Sequence, residues 1–233
     1  MTTTPAPIRD AATVIVIRDR TRTPKVLMGQ RGTRAAFMPS KFVFPGGAVD
    51  DADAVVPLAT PLPEICTTRL LEQGGTAAPH ALAAAAIREL WEETGLILGC
   101  PGTWPGDVPP DWHGFAAHGH VPAAQGLQFV FRAITPPGRP RRFDARFFLV
   151  DAAELAGDPD DFSAACDELG HLQWVPLARA RELDLPFITE VVLAEVAARV
   201  HDTAPPASVP FFRNDDEESL FLRLDGRSPL QQG

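Results

Sequence analysis

Apolar residues arrive in short bursts separated by turn-forming clusters. Ala12 to Ile17 is rich in β-branched residues and predicts a buried strand. Asp19 to Pro24 reads as a turn, and Lys25 to Gln30 as a second strand. Phe42-Val43-Phe44 is a short strand feeding Gly46-Gly47. Leu62 to Leu71 has room for a short helix ended by Gly74-Gly75, and the alanine-rich run Ala81 to Thr94 predicts a longer one. Leu96 to Leu98 starts another strand. Leu127 to Ile134 and Phe143 to Val150 flank Pro136-Pro137-Gly138, the pattern of a hairpin, and Asp151 to Leu155 reads as a helical turn. Phe187 to Val200 carries the apolar spacing of a closing helix. After residue 203, Leu220, Leu222 and Leu224 alternate, which predicts one edge strand pairing within the chain or across a homodimer.

The second helix has two chemically opposed faces. Ile87, Leu90, Trp91 and Thr94 lie three and four apart and suit burial against a sheet. Glu89, Glu92 and Glu93 share the other face. Gly95 ends the helix, because glycine enters the left-handed conformation without steric cost. Like charges at this spacing destabilise a helix by roughly 0.2–0.5 kcal/mol. A hard divalent cation such as Mg²⁺ removes that penalty. A bare acidic triplet would equally serve as a solvated face, so its neighbours in the chain decide the matter.

Those neighbours are Phe44-Pro45-Gly46-Gly47 and Asp53. With Arg88-Glu89-Leu90-Trp91-Glu92-Glu93-Thr94-Gly95-Leu96 they resemble the Nudix box, G-x5-E-x7-R-E-U-x-E-E-x-G-U, where U is apolar. The half from Arg88 to Leu96 matches at every fixed position. Gly47 matches the leading glycine, and the acid six residues on is Asp53, a shorter carboxylate than the family's glutamate. Here 34 residues separate Asp53 from Arg88, 27 more than in the pattern. Gly74 also stands in register with Arg88, but it puts His80 at the acid position and has no apolar strand before it. Residues 26–53 look like the branch of the family that includes peroxisomal acyl-CoA diphosphatase, which also carries a long insertion after FPGG. The arginine lead before FPGG is similar to that of bacterial CoA diphosphatases, although the spacing of Arg31 and Arg34 differs.

The resemblance implies an α/β fold, the Nudix α/β/α sandwich with a central mixed sheet. One domain is expected over residues 1–233, with its core at about 11–202, a decorating insertion at about 54–80 and an extension at 203–233. Leu172 to Leu177 resembles the last Nudix strand. The implied reaction is hydrolysis of a diphosphate joining a nucleoside to another group, with Mg²⁺ or alternatively Mn²⁺ as cofactor. CoA or acyl-CoA is the first substrate expected, giving 3′,5′-ADP and 4′-phosphopantetheine or its acyl form. ADP-ribose, a nucleotide sugar, a dinucleotide, or a sensing module without catalysis are the alternatives.

By the same resemblance Glu89 and Glu93 bind metal directly, Glu92 joins through water, and Arg88 holds the glutamates. Gly46 lies where a backbone carbonyl often serves as ligand, and Asp50 and Asp53 are further candidates. Arg31, Arg34 and Asp53 are assigned to substrate, against the alternative of a solvated loop for the arginines. Several Nudix enzymes take a general base from a glutamate six residues before the aromatic of the last strand. Glu168 stands six before Trp174, with Asp167 as its rival.

Composition narrows the setting. A net charge of −9 argues against a general nucleic-acid binder, whose surface must be basic to grip phosphates. It leaves room for a small anionic substrate held by a metal and local arginines. Lys25 and Lys41 are the only lysines, so arginine, which makes fork-like contacts to phosphate, supplies the positive charge. Cys66, Cys100 and Cys166 are sparse and odd in number, which suits a reducing compartment. No apolar run approaches a membrane span, so a cytoplasmic protein is expected. Residues 100–124, with five prolines and His113, His118 and His120, suggest a lid over the site.

Overall fold

The strand β1 (Ile8–Arg18) is the axis of the computed structural model, which describes residues 6–33, 38–214 and 219–226. Arg34 and the acidic run Asp215-Asp216-Glu217-Glu218 lie outside the described residues. The chain continues through β2 (Lys25–Arg31), β3 (Phe42–Val43), β4 (Gly46–Ala48), α1 (Glu64–Leu70), α2 (Pro79–Thr94) and β5 (Gly99–Pro101). It then forms α3 (His113–Ala117), β6 (His120–Pro122), β7 (Gln128–Ile134), β8 (Arg142–Asp151) and β9 (Leu169–Pro176). The last elements are α4 (Phe187–Ala198), β10 (Val209–Asn214) and β11 (Ser219–Leu224). One mixed sheet runs in the order β11-β10-β7-β8-β1-β2-β3, with β4 also on β1 and β9 on β2. The β1–β8 and β10–β7 pairings are parallel, and the others in the sheet are antiparallel.

The alternation of β1 explains the layers. Ala12, Val14 and Val16 join the core under α2, together with Phe129, Phe148 and Val150. Ile15 and Ile17 point the other way, into the core under α4 with Phe147, Leu149 and Val192. A strand covered on both faces needs a continuous apolar run, which is what residues 14–17 supply. Fully burying a side chain such as Phe129 or Phe148 stabilises the fold by ~1.5–3 kcal/mol each.

Several expectations are corrected here. Residues 54–80 are built into the fold rather than decorating it. Val56, Leu62, Cys66 and Leu70 enter the α2-side core. The segment after α1 also caps a buried charge network. Arg132 holds Asp144 through two bonds of 2.9 and 2.7 Å and donates to the Glu72 carbonyl at 3.0 Å. Arg146 pairs with Asp10, whose carboxylate also accepts from Thr76 and from the Ala77 amide. Buried arginines require such partners, so this segment seals charges the sheet itself creates. Residues 100–124 form no lid. β5 pairs with β6, and Trp104, Trp112 and Phe115 pack into the α2-side core, with Trp91 edge-on to Phe115 at 5.9 Å between ring centroids. His118 rests on Trp91, with 5.1 Å between ring centroids.

Two strands form after residue 202, where one was expected. β11 pairs with β10 inside the chain, and β10 lies parallel to β7. Pro210 hides β10 in the sequence, since proline cannot donate to a ladder. Cys66, Cys100 and Cys166 are all free, and no helix among the described residues is long and apolar enough to cross a membrane.

Candidate active site

Helix α2 begins with Pro79 in its first turn, where no amide partner is needed. It ends at Gly95, which takes φ 74° and donates its N–H to the Trp91 carbonyl at 2.7 Å. Between these limits one face is buried against β1. The final turns carry Arg88, Glu89, Glu92 and Glu93 over β4.

Arg88 is the hub. Its Nε and Nη2 grip the two oxygens of Asp53, both at 3.0 Å. Nη1 donates to Glu89 at 2.9 Å and to Glu92 at 3.1 Å, and Nη2 also reaches the Ala48 carbonyl at 2.9 Å. Burial draws the guanidinium toward neutrality, but the Asp53 hydrogen bonds and the charges of Glu89, Asp53 and Glu92 outweigh it and raise the pKa. Asp53 is wholly buried and its oxygens face Arg88 and the Asp50 amide. It therefore does not reach substrate; it fixes Arg88, a correction to the sequence expectation.

Glu93 accepts the Gly46 N–H at 2.8 Å and is 2 % exposed. Gly46 thus meets this cluster through its N–H. Gly47 has no room for a Cβ, because the Glu89 carboxylate lies against it. Burial, together with the neighbouring charges of Glu92 and Glu168, pushes the Glu89 carboxyl up to about 7 despite Arg88. Burial and the Glu89 charge push Glu93 well above the usual range. Glu92 is raised more mildly, by burial opposed by Arg88. Glu168 stands across from them, held by Arg31 at 3.1 Å.

Glu89 and Glu168 line one end of a cleft of about 780 Å³ on the α4 side of the sheet. Arg9, Arg31, Lys41, Arg139 and Arg141 line it too, over a largely apolar floor. Of the residues singled out in the sequence, Arg31, Gly46, Arg88, Glu89, Glu92, Glu93 and Glu168 come together. Arg34 lies outside the described residues. The sequence does not mark Arg9, Lys41, Arg139 and Arg141 as cleft residues. Their only signal was positive charge in an acidic chain.

The donor chemistry fits a hard cation. Two carboxylates, each pushed up partly by neighbouring charge, would be relieved by a positive ion. Among the described residues no three His, Cys, Asp or Glu side chains form a ready cage. Mg²⁺ does not require one, since it is commonly bound by one or two carboxylates with water and substrate phosphates.

A pH-dependent outcome is expected. An unfolded chain ionises Glu89 near its ordinary 4.5, the folded one near 7. Its contribution to stability is full below the lower value and is lost as pH rises through the upper one. Millimolar Mg²⁺ should therefore raise the melting temperature more at about pH 8 than at about pH 5.5. Equal increments at both pH values, or an increment unchanged in Glu89→Gln, would remove Glu89 from the cation site.

No protein-family model matches the chain. A crystal structure of a Nudix hydrolase from Alicyclobacillus acidocaldarius is 30% identical, covers 82% of this chain and 92% of its own, and superposes with a TM-score of 0.60. A protein of Caenorhabditis elegans named nudix hydrolase 7 is 30% identical over 179 residues, 72% of this chain and 51% of that protein. The acyl-coenzyme A diphosphatase NUDT19 of Gallus gallus is 32% identical over 180 residues, 54% of this chain and 47% of that protein. The chain spans about half the length of these two curated relatives.

Proposed function

The chain belongs to the Nudix hydrolase family, and on that premise we propose that it hydrolyses the diphosphate bond of CoA or acyl-CoA, releasing 3′,5′-ADP and 4′-phosphopantetheine or its acyl form. The observation that carries this reading is the placement of Glu89 at the end of a basic-rimmed, apolar-floored cleft. A cleft of about 780 Å³ lies within the range of small-molecule sites, roughly 300–1,000 Å³, and toward its large end.

The chemistry follows from charge. A diphosphate repels nucleophiles through its anionic oxygens. Bound Mg²⁺, or Mn²⁺, neutralises that charge and acidifies water. Glu89 and Glu93 would hold the ion, with Glu92 through water. Arg88 sets the rotamers of Glu89 and Glu92, and Asp53 sets Arg88. Gly46 fixes Glu93 by its N–H. Glu168, oriented by Arg31, is the proposed general base, which must come within about 2.6–3.2 Å of the attacking water. Arg31 and Lys41 on the cleft wall suit the phosphate oxygens.

A panel of CoA, acyl-CoA, ADP-ribose, nucleotide sugars and dinucleotides with Mg²⁺ tests the reading, followed by phosphate release after phosphatase treatment. CoA or an acyl-CoA should give the highest kcat/KM. A higher value for another substrate would overturn the substrate assignment. Binding without turnover of any would make the chain a nucleotide sensor.

A further inference from the structure

The cleft extends well beyond the carboxylates, and its floor has a regular construction. Phe212 is paired with Ala133, Ala133 with Ala145, Ala145 with Ala11, and Ala11 with Ala48. These residues of β10, β7, β8, β1 and β4 all line the cleft. They form one row across five strands, ending beside Gly47 and Glu89. At ~4.7–4.9 Å per strand, the row from Ala11 to Phe212 is about 14 Å long. Phe143 and Phe147 lie two residues before and after Ala145 on the same face and also line the cleft. Where it crosses β8, this methyl-floored trough, one residue wide, lies between Phe143 and Phe147, and Phe212 closes one end. Its width suits a flat ring held by stacking.

The cations divide by partner. Arg31 pairs with Glu168, Lys41 with Asp184, and Arg9 lies 3.7 Å from Asp50. Arg139 and Arg141, at the β7–β8 turn beside Phe143, make no ion pair or side-chain hydrogen bond with the described residues. Both line the cleft, and Pro140 between them stiffens the turn. Two guanidiniums there match a phosphate dianion, which accepts paired, charge-assisted hydrogen bonds.

We infer that this end of the cleft is a binding site for a ribose-phosphorylated adenosine. The purine lies in the alanine trough and the phosphomonoester between Arg139 and Arg141. The inference takes its ligand from the CoA reading and adds the residues that separate CoA from unphosphorylated nucleotides such as ADP-ribose. The scissile diphosphate is then left beside Glu89, at the opposite end of the row.

Calorimetric titration of the full chain with 3′,5′-ADP and with 5′-AMP tests the site independently of turnover. The wild type should bind 3′,5′-ADP about tenfold tighter or more, the worth of a charge-assisted contact. Arg139→Ala/Arg141→Ala should lose that preference while keeping its affinity for 5′-AMP, and the double lysine variant should retain part of it. Both side chains are exposed at a turn, so these variants should fold. Equal affinities in the wild type, or a preference that survives the double alanine change, would overturn the inference. Hydrolysis of CoA and dephospho-CoA, measured in parallel, separates the two readings. Turnover of CoA without preference for 3′,5′-ADP sinks the site alone. The preference without turnover of either sinks the hydrolase reading alone.

Discussion

Glu93→Gln should lower kcat by ~100-fold or more, since even changing a residue that only orients a metal's ligands costs ~10–100-fold. The amide keeps the shape and can still accept the Gly46 N–H. It cannot supply the negative charge with which Glu93 is proposed to help hold a cation. Substrate KM should change little, because Glu93 sits behind Glu89 and does not line the cleft. Mg²⁺ affinity, read by activity titration and by the Mg²⁺-induced rise in melting temperature, should fall together with kcat. Glu168→Gln provides the contrast. It should keep Mg²⁺ affinity and lose rate most where a base would be ionised. Wild-type turnover by Glu93→Gln at saturating Mg²⁺ would exclude Glu93 from the machinery.

Asp53→Ala should cost about 3 kcal/mol of stability, the lower end of the ~3–5 kcal/mol for removing one partner of a buried ion pair. Arg88 keeps Glu89, Glu92 and the Ala48 carbonyl, which is why the upper end is not expected. Its guanidinium cannot escape by deprotonating. The loss should appear as a lower urea midpoint with an unchanged slope. Activity should fall too, because Arg88, no longer gripped by Asp53, holds Glu89 and Glu92 less firmly. Asp50→Ala is the control. Asp50 is 3.5 Å from Arg88 but half-exposed, so its removal should cost under ~1 kcal/mol. A control as damaging as Asp53→Ala would contradict the role assigned to the buried pair.

Much of the site could be read before any coordinates. The spacing of Ile87, Leu90, Trp91 and Thr94 set the buried face of α2, and Gly95 ends it in the left-handed conformation. The six-residue step from Glu168 to Trp174 pointed to the loop that does face Glu89 and Glu93. Asp53 reads as a substrate residue from the sequence because spacing along the chain carries no measure of burial. Its carboxylate is covered by the very arginine whose motif the intervening segment interrupts. The segment 54–80 reads as decoration for a related reason. Arg132, Asp144, Arg146 and Asp10 become a buried network only once β7, β8 and β1 are adjacent, and only then is a cover required.

What the sequence determined by itself is local: strand and helix periods, the helix stop, and a run of acids on one helical face. These depend on neighbours within a few residues, where backbone geometry dictates which side chains share a face. The Nudix motif extends that reach only because its residues recur as a set. Packing of distant segments decided the rest. The row takes one residue from each of β10, β7, β8, β1 and β4, which are scattered over most of the chain. No local pattern marks Ala133 or Ala145 as a floor, or Arg139 and Arg141 as its rim. Their juxtaposition exists because sheet register aligns them and because α4 covers only part of that face.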